Sequence, residues 1–138
     1  MNDFDFWVGT WEGTWENDDG PGAATNTITK ELNGHVVVER FATMPAVDFN
    51  GLSVTVYDER EGCWKQTWVD DTGAYLDFRG GRVADDVILT RQFVVERSVV
   101  TQRMVFCEIE PDRFTWLWQR ARAAGDWETL WRIDYARQ

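Results

Sequence analysis

Apolar and polar positions alternate along nearly the whole chain, and nowhere do apolar residues recur at i, i+3, i+4 and i+7 through three helical turns. A period of two predicts strands, and the missing helical period predicts no long helix. Turn-forming clusters cut the pattern about every ten residues. They are Asn17-Asp18-Asp19-Gly20-Pro21-Gly22, Asn33-Gly34, Asn50-Gly51, Glu61-Gly62, Asp71-Thr72-Gly73, Gly80-Gly81, Glu110-Pro111-Asp112 and Ala124-Gly125-Asp126. The strands between them are expected at 9–16, 24–32, 35–43, 52–58, 63–70, 74–79, 86–95, 99–109, 113–121 and 127–136. Ten strands joined by short hairpins do not stay flat, because twist and exposed edges both favour closure. The predicted fold is therefore all-β, a closed antiparallel up-and-down barrel of about ten strands. A two-sheet sandwich competes, but it needs long crossovers, and only the 44–51 connection is roomy.

At 138 residues the chain is long enough to bury a core without disulfides or metals, and no linker, repeat or low-complexity segment divides it. Residues 1–138 are read as one domain. Nine Trp, eight Phe and three Tyr supply many large side chains for the inward positions. Acidic residues outnumber Lys and Arg by 24 to 14, giving a net charge of −10, so neither nucleic acid nor an anionic membrane surface is an expected partner. No apolar run reaches the ~18 residues of a membrane span. Met1-Asn2-Asp3-Phe4-Asp5 lacks a basic start followed by an apolar run, so no signal peptide is read and a cytoplasmic location is expected. Cys63 and Cys107 are expected as small half-buried residues rather than a bridge. The excess of Arg over Lys points to high-GC bacterial coding.

The opening Phe6-Trp7-Val8-Gly9-Thr10-Trp11 resembles the Gly-x-Trp start of lipocalins, fatty-acid-binding proteins and nitrobindin-like barrels. That resemblance implies a short 3-10 turn plugging the barrel base, with Trp11 pointing inward. A second resemblance covers nearly the whole chain and is to the uncharacterised bacterial lipocalin-like proteins of the DUF1579-like group. It is carried by Phe4-Asp5-Phe6-Trp7-Val8-Gly9-Thr10-Trp11, Asn26-x-Ile28, Glu39 and Trp64-x-Gln66-x-Trp68-Val69-Asp70-x-x-Gly73, with looser matches at Arg103 and the Trp127 to Arg137 strand. It implies a fold and not a reaction. The chain departs from the group at Trp116 and Trp118, where such sequences are more polar, and in a short 121–126 turn. In lipocalin-like barrels a cation of the final strand packs on the opening Trp, which here makes Arg132 or Arg137 the partner of Trp11.

The fifth strand is the most informative segment. Alternation puts Trp64, Gln66, Trp68 and Asp70 on one face and Cys63, Lys65, Thr67 and Val69 on the other. Lys65 and Thr67 suit water, so the first face is expected inside, where buried polar groups must find partners. Either Gln66 and Asp70 orient a ligand while Trp64 and Trp68 line its pocket, or the four seal the barrel as a polar cluster. The ninth strand adds Trp116, Trp118 and Arg120 on one face, and the tenth Trp127, Trp131 and Tyr135; these either line a cavity or fill the core. Glu39 after Val36-Val37-Val38, Arg91 between Leu89 and Phe93, and Arg103 between Thr101 and Val105 are candidate inward charges, and an inward charge needs a partner.

Other chemistries find less support. The single His35 follows the Asn33-Gly34 turn and cannot make a zinc site with two unspaced Cys, and the C-terminus lacks the His of nitrobindin-like haem barrels. The last strand, Arg132-Ile133-Asp134-Tyr135-Ala136-Arg137, lacks the Arg-x-Tyr pair that fatty-acid-binding barrels use. There is no Gly-x-Ser-x-Gly, and Gly80-Gly81-Arg82 is not a phosphate-binding loop. Hence no cofactor and no metal is expected. Three functions remain open: a carrier or sensor holding a small, largely apolar molecule; a cofactor-free cyclase, isomerase or dehydratase drawing acid and base from Asp70, Glu39 and Tyr57 with an Arg; and a solid barrel serving oligomerisation, such as a homodimer.

Overall fold

The computed structural model describes residues 1–17, 20–122 and 125–138. Asp18 and Asp19 of the first turn cluster and Ala124 of the last lie outside the described residues. A 3-10 turn, Asp5–Trp7, precedes ten strands: β1 Gly9–Asn17, β2 Gly20–Glu31, β3 Val36–Met44, β4 Asn50–Asp58, β5 Cys63–Asp70, β6 Tyr75–Val83, β7 Asp86–Val95, β8 Ser98–Glu110, β9 Arg113–Ala121 and β10 Trp127–Arg137. Every strand pairs antiparallel with its sequence neighbours, and β1 pairs with β10 to close the barrel. The sandwich is thereby ruled out.

One turn cluster has a different meaning from the one its sequence suggests. Gly80-Gly81 lies inside β6, and the chain reverses instead after Val83, where Ala84 takes a φ of 56°. Gly80 is needed for approach rather than for turning: a Cβ there would sit 1.9 Å from the carbonyl oxygen of Ile88 on β7. β6 and β7 are joined unevenly. Their ladder runs only from Arg79↔Thr90 to Val83↔Asp86, while Tyr75–Phe78 of β6 keep to β5 and Arg91–Val95 of β7 keep to β8. A seam is left towards the far end of the wall.

The end of the barrel near the N-terminus is plugged with aromatic rings. Phe4, Trp7 and Trp11 are almost fully buried, and Phe4 meets Trp64 and Phe106 edge to face at 4.9 and 5.5 Å. Trp11 donates its indole N–H to the Trp7 carbonyl at 2.8 Å, which fixes the 3-10 turn against β1. Arg137 lies over Trp11 with its guanidinium carbon 4.2 Å from the ring, and donates to the carbonyls of Phe6, Val8 and Pro111. Of the two candidate cations, Arg137 holds the plug; Arg132 is on the outer face with Asp134. The opposite end is open, ringed by the 44–50, 70–75 and 95–98 connections.

Candidate functional site

Above the plug the inward side chains do not fill the barrel. They leave a cavity of about 210 Å³ that reaches the open end. Its wall is aromatic, with Phe41, Phe78, Trp116, Trp118 and Trp131, and Met104 and Phe106 complete it on β8. Trp131 stands perpendicular to both Trp116 and Phe41, at 89° and 87°, while Trp116 and Trp118 are parallel within 4°. At the mouth, Phe49 stacks on Trp68 at 6.3 Å. Phe49 reaches there because Thr43 Oγ1 accepts the backbone N–H groups of Asp48 and Phe49, folding the loop after β3 inward.

One corner of the cavity is polar. Glu39, in phase with Val37 and Phe41 on β3, is buried, and its carboxyl accepts from Ser53 Oγ at 2.7 Å and Asn26 Nδ2 at 2.8 Å. Asn26 Nδ2 also lies 3.4 Å from the Tyr135 hydroxyl oxygen, and Asn26 Oδ1 has no partner among the described residues. Burial pushes the Glu39 pKa up, against the lowering pull of Ser53 and Asn26. Tyr135 is pushed well above the usual phenol range by burial and by the nearby Glu39, so its hydroxyl stays neutral. The corner therefore offers a carboxyl that holds its proton more tightly than an exposed one and a phenol that keeps its own.

Several predicted residues come together here and others do not. Glu39, Asp70, Trp68, Trp116 and Trp118 all line the cavity. The oxygens of Asp70 are occupied, however: Oδ2 accepts the Trp68 indole N–H at 2.9 Å, and Oδ1 accepts from the backbone and hydroxyl of Thr72. Desolvation raises the Asp70 pKa, but these hydrogen bonds outweigh it and hold the carboxyl below its ordinary value. Asp70 is thus an ionised anchor for Trp68 and the following turn. Gln66 is buried on the inner face with Nε2 donating to Thr55 Oγ1 at 2.9 Å, outside the main cavity.

Five expectations need correction. Trp64 and Tyr57 pack against each other at 5.4 Å in the plugged end and do not reach the cavity, because both lie at the closed-end termini of their strands. Arg91 is on the inner face but at the rim, donating to Gln102 at 2.6 Å. Arg103 is outside the barrel: Met104 and Phe106 take the inward phase of β8, so Arg103 donates to Gln119 at 2.8 Å and lies over Trp127 at 3.8 Å. Trp127 is outside as well. A register shift between Thr129 and Trp131 inverts the faces of β10, so Trp127 no longer shares a face with Trp131 and Tyr135.

Asn26 and Ser53 are polar partners that alternation had not singled out, and Tyr135 had been read only as an aromatic that lines or fills the barrel. Their signal is present all the same: Asn26 is in phase with Ala24 and Ile28, and Ser53 with Gly51 and Thr55, so both sit on inward faces. His35 is exposed in its turn. Among the described residues no group of three or more His, Cys, Asp or Glu is arranged to hold a metal ion, and no helix is long and apolar enough to cross a membrane. No curated protein matches the chain significantly. The family model described as Protein of unknown function (DUF1579) matches residues 4–137, and the chain belongs to that family.

Proposed function

We propose that the protein binds a small, largely apolar organic molecule inside the barrel, as a carrier or sensor. The cavity beyond the plug carries this reading: it is walled mostly by aromatic and aliphatic groups, with one polar corner to orient what enters. Its volume of about 210 Å³ suits one or two rings with a short substituent, since an apolar cavity of ~150 Å³ takes benzene. It also argues against the solid oligomerisation barrel, which leaves no such space. The test is native mass spectrometry of the purified protein, followed by titration of one- and two-ring compounds against its Trp fluorescence. Saturable quenching is expected, weakened roughly tenfold by Trp68→Ala and abolished when Met104→Trp fills the space. No co-purified molecule and no quenching across the panel would overturn the reading.

A second reading is favoured by one observation. A buried carboxyl with a raised pKa, facing a mostly apolar cavity beside a neutral phenol, is suited to move a proton on a bound molecule. A cofactor-independent cyclase or isomerase would use Glu39 in this way, with Tyr135 donating a hydrogen bond. Chromatography of the bound compound after incubation separates the two: recovery unchanged supports the carrier, and an isomer of equal mass that fails to form with Glu39→Gln supports the enzyme.

A further inference from the structure

Building on the cavity as a binding site, we propose that its ligand is an organic cation, a small aromatic or apolar amine held by the Glu39 carboxylate and the faces of the surrounding rings. Three observations converge on this class. The ionisable acids of the lining are Glu39 and Asp70, and the lining includes no Lys, Arg or His. Asp70 accepts four hydrogen bonds, from Trp68, Thr72 and Ala74, whereas each oxygen of the buried Glu39 accepts one, from Ser53 and Asn26. A buried carboxyl without a counter-charge is costly to ionise, and a cation arriving beside it removes that cost. The free Glu39 pKa is accordingly raised by burial.

The rings supply the second half of the argument. Trp131 and Trp116 meet at 89°, Trp131 and Phe41 at 87°, and Trp116 continues in parallel into Trp118. Rings set at right angles give the lining π faces of more than one orientation, and the negative face of an indole attracts an ammonium. The inward-phase cations towards the open end, Arg120 and Arg91, are engaged by Glu128 at 2.5 Å and Gln102 at 2.6 Å, and neither joins Glu39 in the cavity lining. A carboxylate ligand would meet like charge at the corner, and a neutral hydrocarbon would leave the carboxyl unpaired. The net charge of −10 also favours the approach of cations.

The experiment compares three probes of matched size by Trp fluorescence and calorimetry: phenethylamine, phenethyl alcohol and hydrocinnamate. The amine is expected to bind at least about tenfold tighter than the alcohol, with the acid weakest. Glu39→Gln is expected to remove the amine's advantage over the alcohol, and Trp116→Leu to reduce the amine's affinity more than the alcohol's. Equal affinities for amine and alcohol in the wild type, or an advantage that survives Glu39→Gln, would overturn the cation assignment and leave the cavity as a binding site for neutral molecules. Saturation by none of the three would overturn both. Should Glu39→Gln not fold, the wild-type ranking and Trp116→Leu decide the matter.

Discussion

Glu39 is the residue on which stability and binding pull in opposite directions. Its raised pKa means that the folded protein holds the proton more tightly than the unfolded chain does. The associated stability is full below the ordinary carboxyl value and is lost as pH rises through the raised one. Glu39→Gln is neutral at every pH, and its amide can keep both contacts, the oxygen accepting from Asn26 Nδ2 and the N–H donating to Ser53 Oγ. The variant is therefore expected to be more stable than wild type by on the order of 1–2 kcal/mol above the raised pKa, with the gain shrinking on acidification. Urea unfolding across a pH series measures it, and a difference that does not vary with pH would show that Glu39 titrates normally. The sequence exposed Glu39 because an acid directly after three valines breaks a buried run. It did not expose Tyr135, which reads as one more aromatic until Asn26 is seen beside its hydroxyl.

At the scale of single strands, the alternation was legible wherever a strand is regular and misleading wherever a residue is inserted or a glycine serves an unexpected end. β5 shows the first case, with Trp68 and Asp70 at the cavity and Lys65 outside. β10 shows the second: the irregularity between Thr129 and Trp131 carries no signature in the residues around Leu130, yet it moves Trp127 to the outer face, where Arg103 covers it. The adjacent glycines of β6 provide a test of the same kind. Gly80→Ala would drive a Cβ into the Ile88 backbone, which cannot yield without parting the ladder, and should cost at least about 2 kcal/mol. Gly81→Ala meets only Trp64 Cδ1 at 3.4 Å and should change stability by no more than about 1 kcal/mol, its loss of unfolded-state entropy favouring the fold. Guanidinium titration of the two variants is the measurement; equal costs would mean that Gly80 is read wrongly.

Across the whole molecule, closure by β1 and β10 was predictable from strand number and short connections, because ten linked strands have few other ways to satisfy their edges. The cavity was not predictable, since whether twenty aromatic rings fill a barrel depends on bulges and strand tilt that alternation does not report. The plugged end and the seam should differ in local stability. Amides of Tyr75–Phe78 and Arg91–Val95 that face the seam lack ladder partners, so hydrogen exchange there is expected to be faster than along the continuous β1–β2 ladder. Uniform protection around the wall would contradict this. Phe78 is shared by the seam cleft and the cavity lining, so one ring stands between the interior and that part of the wall. The 44–50 and 70–75 connections at the mouth, by contrast, are tied down by Thr43, Asp70 and Asp71. A smaller side chain at Phe78 would therefore add a second way out through the seam, and a guest would leave sooner although the mouth keeps its shape.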